Sequence, residues 1–203
     1  MEFKTEHENF WAGDFGDQYI ARNNSDSLFY SKVAMWARML RCANNVRSAR
    51  ELGCNIGLNL LTLKRLNPAL ELSGYEINEA AANKAAELNV GKIVNGTILD
   101  KINDPSVDLT FTVGVLIHID PDYLKLVYDN LVYGSNRFVL VAEYYNPSPV
   151  TIAYRGHSNR LFKRDFAGDL IDSYGLKLID YGFIYKRDNL APQDDIHWFL
   201  LEK

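Results

Sequence analysis

The sequence predicts an α/β fold: a mostly parallel sheet with helices on both faces, closed at its C-terminal edge by an antiparallel hairpin. Three observations carry that expectation. Strand-like and helix-like runs alternate between residues 46 and 143, the rhythm of a sheet assembled from crossover units. Val107–Gly114 is hydrophobic almost throughout, as a strand buried on both faces must be. The rhythm then breaks, because Leu176–Tyr185 and Ile196–Glu202 are joined by a polar loop without a helix. A hairpin needs only a turn, whereas a parallel crossover needs a dozen or more residues, usually helical.

The elements follow in order. Residues 1–24 are polar yet carry Phe10, Trp11, Phe15 and Tyr19 among Glu, Asp and Asn. Ser27–Cys42 reads as a helix, with Leu28, Val33, Met35, Trp36, Met39 and Leu40 at roughly helical spacing. Val46–Leu52 is a strand that ends in the loop Glu51-Leu52-Gly53-Cys54-Asn55-Ile56-Gly57. Leu58–Leu66 reads as the helix after it, with Pro68 just past its end. Leu70–Glu76 is a second strand, Glu79–Leu88 an alanine-rich helix and Lys92–Asn95 a short third strand. After the Val107–Gly114 strand, Asp120-Pro121 introduces a helix over Asp122–Val132, and Arg137–Glu143 is the clearest strand of the chain. The expected division is an N-terminal helical cap over residues 1–45 and a main body over 46–203, forming one compact unit.

Composition bounds the function. A chain of 203 residues with 47% hydrophobic content fills one domain with a full core. Its net charge of −4 lacks the broad basic footprint of a duplex nucleic-acid binder, so no nucleic-acid partner is expected. Cys42 and Cys54 make no CxxC pair, which argues against a disulfide framework or a cysteine-built metal site and fits a reducing cytoplasm. The polar N-terminus is unlike a signal peptide, and no apolar run approaches the roughly 20 residues that span a bilayer. The expectation is a cytoplasmic protein with no membrane partner and no metal.

Glycines at 53 and 57 let backbone approach a ligand where a side chain would collide, and the helix after them aims free amides at it. Glu76, at the end of the next strand, is placed to accept hydrogen bonds from two ribose hydroxyls. Its interval from Gly53 matches the roughly 20 residues between loop and acid in nucleotide-binding folds. The loop departs from G-x-G-x-x-G, because Asn55 and Ile56 stand where that pattern places its second glycine. A pyrophosphate needs close backbone approach there, so S-adenosylmethionine is favoured over NAD. A parallel sheet closed by an antiparallel hairpin is moreover the seven-stranded, Rossmann-like methyltransferase variant of the doubly wound fold. Cys54 and Asn55 belong to the cofactor loop, Ile77 and Asn78 lie against adenine, and Gly96-Thr97-Ile98 approaches its other side. Many methyltransferases carry an acid at this last point for the adenine amino group. Thr97 offers only a hydroxyl or backbone atoms.

Val113 and Gly114 end the fourth strand at the edge where open α/β sheets bind ligands, beside the methionine portion. His118, just beyond, is either a general base taking a proton from an acceptor hydroxyl or a residue that fixes this loop by hydrogen bonds. The aromatic segment 10–19 is either a lid, with Trp11, Tyr19 and Arg22 closing over the cofactor and Arg22 on its carboxylate, or a satellite apolar cluster. After the fifth strand, Arg155, His157, Arg160, Lys163 and Arg164 crowd ten residues, beside Tyr144. This is either an anion site for an acidic acceptor touching Tyr144, Arg155, His157 and Arg164, or a solvated helix face balanced by Asp165 and Asp169. Asp194-Asp195-Ile196-His197 matches no standard metal spacing and reads as structural.

Several longer segments carry a resemblance. Thr5-Glu6-x-Glu8-x-Phe10-Trp11-Ala12-Gly13-x-Phe15-Gly16-Asp17, the Glu51–Gly57 loop, Glu143-Tyr144-Tyr145-Asn146-Pro147 and Tyr154-Arg155-Gly156-His157-Ser158 resemble the pseudaminic acid biosynthesis-associated methylases. So do Phe162-Lys163-Arg164-Asp165-Phe166-Ala167-Gly168 and Pro192-Gln193-Asp194-Asp195. The resemblance implies S-adenosylmethionine-dependent methyl transfer to a small acidic sugar or nucleotide sugar of a nonulosonic acid pathway. Rival expectations are another small carboxylate or polar metabolite as acceptor, or a non-catalytic S-adenosylmethionine-binding scaffold.

Overall fold

The computed structural model describes residues 3–20, 26–154 and 157–203. Its strands are β1 (Ser48–Leu52), β2 (Glu71–Glu76), β3 (Lys92–Asn95), β4 (Val107–Val113), β5 (Ser135–Glu143), β6 (Val150–Tyr154), β7 (His157–Lys163), β8 (Lys177–Ile184) and β9 (Ile196–Glu202). Its helices are α1 (Glu6–Ala12), α2 (Asp14–Ile20), α3 (Asp26–Met39), α4 (Leu58–Leu66), α5 (Glu79–Glu87), α6 (Leu124–Tyr133) and α7 (Phe166–Tyr174). Seven strands form one sheet in the order β3-β2-β1-β4-β5-β9-β8. The pairs among β1 to β5 are parallel, and β9 lies antiparallel between β5 and β8. The expected hairpin therefore closes the sheet edge.

From β1 the chain builds outward to β2 and β3, then returns to β4 on the other side of β1. The loops after β1 and β4 thus leave the same sheet edge in divergent directions and open a crevice between them, the place where such sheets bind ligands.

The hydrophobic run of β5 follows from having a core on both faces. Successive strand residues point to opposite sides, so Phe138, Leu140 and Ala142 join Trp36 and Met39 of α3 and Trp198 of β9. Val139 and Val141 join Leu131 of α6 and Leu170 of α7 on the other face. Trp36 meets Phe111 of β4 edge-on, with ring centroids 4.7 Å apart.

The strand over 92–95, the helix over 58–66 and the strand over 196–202 have the expected bounds. The helix expected over 122–132 is split. A 3-10 turn over Pro121–Tyr123, capped by Asp120 through the Asp122 N–H, precedes α6. Two elements exceed the expectation. The basic segment after β5 is neither a helix face nor a loop, because β6 and β7 pair as a separate antiparallel hairpin. The run Val150-Thr151-Ile152 explains it, since β-branched residues favour extended backbone, and Leu161 opposite Ile152 is buried. Then α7 starts at Asp165, whose side chain accepts the Gly168 N–H, and stops at Gly175 in the left-handed region with φ 68°.

Candidate functional site

The crevice is walled first by the loop after β1. The Gly53 and Cys54 N–H groups both donate to the Tyr75 carbonyl, at 2.8 and 2.9 Å, which folds the loop back onto β2. Gly53 sits at φ 79°, and a Cβ there would come within 2.7 Å of Val115 Cγ2. Both facts require glycine. Gly53, Cys54 and Asn55 line the cavity. Gly57 stands between Ile56 and Leu58, which also line it. It turns the chain into α4 at φ 77°, and its missing side chain lets α5 approach, since a Cβ would lie 3.1 Å from Ala85 Cβ and Leu88 Cδ1.

Two carboxyl groups stand on neighbouring strand ends. Glu76 Oε2 accepts the Asn55 N–H at 2.7 Å and Oε1 accepts the Asn78 N–H at 2.8 Å. Both oxygens are thereby oriented on a side chain that lines the cavity. Burial pushes its carboxyl above the ordinary range, against the backbone N–H groups of Asn78, Asn55 and Ile77. Glu51 is fully enclosed: Oε1 takes the Asn59 side-chain amide at 2.5 Å, while Oε2 has no hydrogen-bond partner. Burial pushes Glu51 up to about 8, opposed by Asn59 and by the charge of Lys32. Lys32 of α3 donates to Asn59 Oδ1 at 2.8 Å. Burial lowers its ammonium from the usual lysine value, opposed by Glu51 and Asp194.

The remaining walls come from three directions. Ile77, Thr97 and Ile98 line one side, and Val113 and Gly114 line the end of β4. Asn78 lines the cavity too, but its side chain works structurally: Oδ1 caps α5 through the Ala81 N–H at 2.8 Å, and Nδ2 donates to Asp17 Oδ1 at 2.8 Å. That second bond fastens α2 to the sheet edge. The N-terminal aromatics both pack together and wall the cavity. Phe10 and Phe15 stack at 4.1 Å, and Trp11 lies edge-on to Tyr19 at 5.3 Å, with Trp11 and Tyr19 lining the space.

His118 meets this cover. Its ring centroid is 4.6 Å from that of Trp11, and Nδ1 is 2.9 Å from the Arg160 carbonyl of β7. A carbonyl only accepts, so Nδ1 carries the proton and Nε2 is the basic nitrogen. Burial pushes His118 down to about 4, opposed by that hydrogen bond, with His7 lowering it further. His118 is therefore neutral at pH 7. The loop before it is pinned from β5, where Glu143 Oε1 accepts the Val115 and Leu116 N–H groups, both at 3.1 Å. Burial pushes Glu143 up to about 7, opposed first by those two N–H groups. His7 and Asp120 also line the cavity, 3.9 Å apart between Nδ1 and Oδ2.

Of the residues proposed for an acceptor, Tyr144 and Arg164 are described, and neither lines the cavity. Tyr144 carries the Lys163 ammonium 5.2 Å above its ring and lies outside the cavity lining. Arg164 faces Asp169 of α7 at 3.0 Å. Arg22 and Arg155 fall outside the described residues, as does the side chain of His157. Asp195 pairs with Lys186 at 3.2 Å, and His197 lies 4.7 Å from the Phe183 ring. Among the described residues no group of His, Cys, Asp and Glu is arranged to hold a metal ion, and no helix is long and apolar enough to cross a membrane.

Sequence reasoning missed His7, Glu8, Lys32, Glu51, Asn59 and Asp120 as cavity residues. Two had a readable signal. Lys32 stands on the apolar stripe of α3 with Leu28, Met35, Trp36 and Met39, where a charge needs a partner. Thr5-x-x-Glu8 is the capping-box pattern, and the box is present at the start of α1.

No family model matches the chain, and no curated protein sequence is significantly similar to it. Solved structures do share the fold. Magnesium protoporphyrin IX methyltransferase from Synechocystis with bound SAM matches with TM-score 0.71 and 10% identity over 100% of both chains. The 1,6-didemethyltoxoflavin-N1-methyltransferase of Burkholderia thailandensis, with S-adenosylhomocysteine bound, gives TM-score 0.71 and 10% identity over 100% of this chain and 92% of that one. An O-methyltransferase from a polyketide multienzyme of Brevibacillus brevis, also with S-adenosylhomocysteine, gives 0.66 and 15% over 98% and 80%. The fold is the Rossmann-like, seven-stranded methyltransferase fold.

Proposed function

We propose that this chain is an S-adenosylmethionine-dependent methyltransferase acting on a small polar acceptor. The observation that carries the reading is Glu76, a buried carboxyl on the cavity wall whose two oxygens are oriented by the Asn55 and Asn78 N–H groups. A vicinal ribose diol donates two hydrogen bonds at that separation. The unpartnered Glu51 Oε2 and the nearby Lys32 ammonium suit the ammonium and carboxylate of a methionine moiety. A dinucleotide pyrophosphate, which carries two charges, is less well matched: apart from histidines, Lys32 is the one cationic side chain among the described lining residues.

When bound, S-adenosylmethionine supplies a methyl group already activated on a sulfonium. The protein then has to align the acceptor, exclude water and receive a proton. Trp11 and Tyr19 cover the cavity and keep it dry. His118 presents a neutral imidazole whose Nε2 takes the acceptor proton. An imidazole held at about 4 serves this role, because an acceptor hydroxyl becomes far more acidic as its oxygen gains a bond to carbon.

The finer reading, an acidic sugar or nucleotide sugar of nonulosonic acid metabolism, is supported by the resemblance of the segments around Phe10–Asp17, Tyr154–Ser158 and Phe162–Gly168. A second reading, a neutral polar acceptor, is favoured by the ion pairs of Arg160 with Glu6 and of Arg164 with Asp169, which match those charges internally. Calorimetry with S-adenosylmethionine, S-adenosylhomocysteine and NAD tests the cofactor: micromolar binding of the first two and none of NAD is expected, and the reverse overturns the reading. Transfer of labelled methyl to nonulosonic acids, their nucleotide-activated forms and neutral sugars then separates the two acceptors.

A further inference from the structure

The wall that faces the adenine position has no acid of its own, because Thr97 stands after β3 where a carboxylate would receive a purine amino group. A carboxylate nevertheless reaches that wall from the opposite end of the chain. Glu8 of α1 is buried at 6% exposure and lines the cavity. Its Oε1 accepts the Thr97 hydroxyl, and its Oε2 accepts the N–H groups of Lys4 at 2.6 Å and Thr5 at 3.2 Å. The Thr97 oxygen in turn accepts the Leu99 N–H at 3.0 Å. Lys4 binds the same loop from outside, through the Leu99 carbonyl at 3.0 Å and Asp100 at 2.6 Å. Three contacts thus clamp the segment Lys4–Glu8 onto residues 97–100, with Glu8 on the inner side of the clamp.

We infer that Glu8 is the acceptor for the exocyclic amino group of the cofactor's adenine, so that base selection depends on a residue carried by the N-terminal cover. The inference rests on the cofactor reading above. Oε2 is saturated by two backbone donors, and Oε1 has one accepting position beyond the Thr97 hydroxyl. An amino group at position 6 of a purine fills that position. An oxygen at position 6 would face it with repulsion. Adenine bound there bridges sheet and cover.

The test is calorimetry on the full chain with S-adenosylhomocysteine and S-inosylhomocysteine, which carries oxygen in place of the amino group. Wild type is expected to prefer the adenosyl compound by roughly 10-fold or more, the scale of one hydrogen bond to a charged acceptor. Glu8→Gln keeps the capping box, in which Gln serves as well as Glu. Its amide oxygen goes to the Lys4 and Thr5 N–H groups, so its NH2 faces the base as a donor. The adenosyl preference is expected to shrink to within roughly 3-fold or to invert. Thr97→Asp in the Glu8→Gln background is expected to restore it. Equal wild-type affinity for both compounds, or an undiminished preference in folded Glu8→Gln, overturns the inference while leaving the cofactor reading standing. Wild type that binds neither compound overturns the cofactor reading and the inference with it.

Discussion

Glu76→Ala is the substitution whose consequences the structure fixes most tightly. In the folded chain the two Glu76 oxygens accept the Asn55 and Asn78 N–H groups at 2.7 and 2.8 Å. The carboxyl is buried at a cost visible in its raised pKa. Ribose hydroxyls would repay that cost by donating to the charged form. Each such bond is worth about 1.5–3 kcal/mol, so loss of two removes about 3 kcal/mol at the lower end, roughly 150-fold in Kd for S-adenosylhomocysteine. The substitution also strips two backbone N–H groups of their acceptor, and relief from burying a carboxyl offsets part of that penalty, so a melting curve must accompany the titration. Glu76→Gln is expected to follow Ala rather than wild type. Its single amide oxygen cannot accept from both N–H groups and the diol together. Calorimetry of S-adenosylhomocysteine binding reads the effect directly. A folded Glu76→Ala protein that binds within threefold of wild type refutes the assignment of the diol to Glu76.

Gly53→Ala forces an L side chain into φ 79° and brings its Cβ to 2.7 Å from Val115 Cγ2; a loss of about 3 kcal/mol in unfolding free energy is expected by denaturant titration, and an unchanged midpoint would contradict it. His118 carries a pH signature. Folding depresses its pKa from 6.5 to about 4, so as pH falls the unfolded chain binds the proton first. The contribution to stability is full above pH 6.5 and is lost toward pH 4, by about 3 kcal/mol in total. Thermal melts of His118→Asn should lack this acid-side slope, and the same substitution should lower methyl transfer while leaving cofactor affinity near wild type. Lys32→Met is expected to weaken S-adenosylhomocysteine roughly 10- to 100-fold, with little change for 5′-methylthioadenosine, which lacks the amino acid. Equal losses for both ligands would place Lys32 outside the methionine site.

The parallel half of the fold was legible because its signals are local. A loop with two glycines between a strand and a helix, an acid about 20 residues on, and a hydrophobic run with no polar face each identify their element without a tertiary partner. The polar loop between the last two strands likewise fixed the antiparallel hairpin. The β6–β7 hairpin was not legible because β7 is largely polar, with Leu161 and Phe162 as its apolar residues opposite the β-branched run Val150-Thr151-Ile152 of β6. For α7 the usable signs were its Asp165 cap and Gly175 stop. In the site, Glu76 and Gly53 line the cavity, whereas the lack of a side chain at Gly57 also serves the approach of α5, which the loop sequence does not reveal. Nothing in the sequence reveals that Glu8 meets Thr97 across 89 residues, because a capping box reports only its own helix.

That division has a functional consequence. The half of the cavity proposed for the cofactor is built mainly by the loops after β1, β2, β3 and β4, whose geometry the sheet imposes, with Glu8 of α1 and Lys32 of α3 added to it. The half around His118 is built by segments outside the sheet: Trp11 from α1, the Arg160 carbonyl from β7 and, next to them, His7 and Asp120. His118 belongs to both, since Glu143 at the end of β5 holds its loop from the sheet side while β7 fixes its tautomer from the other. Chemistry common to many methyl acceptors can then remain with the sheet, while selection among acceptors falls to the cover and the hairpin. Exchanging the hairpin should therefore change which acceptor is methylated without displacing Glu76 or the loop at Gly53, whereas exchanging the cover would also remove Glu8.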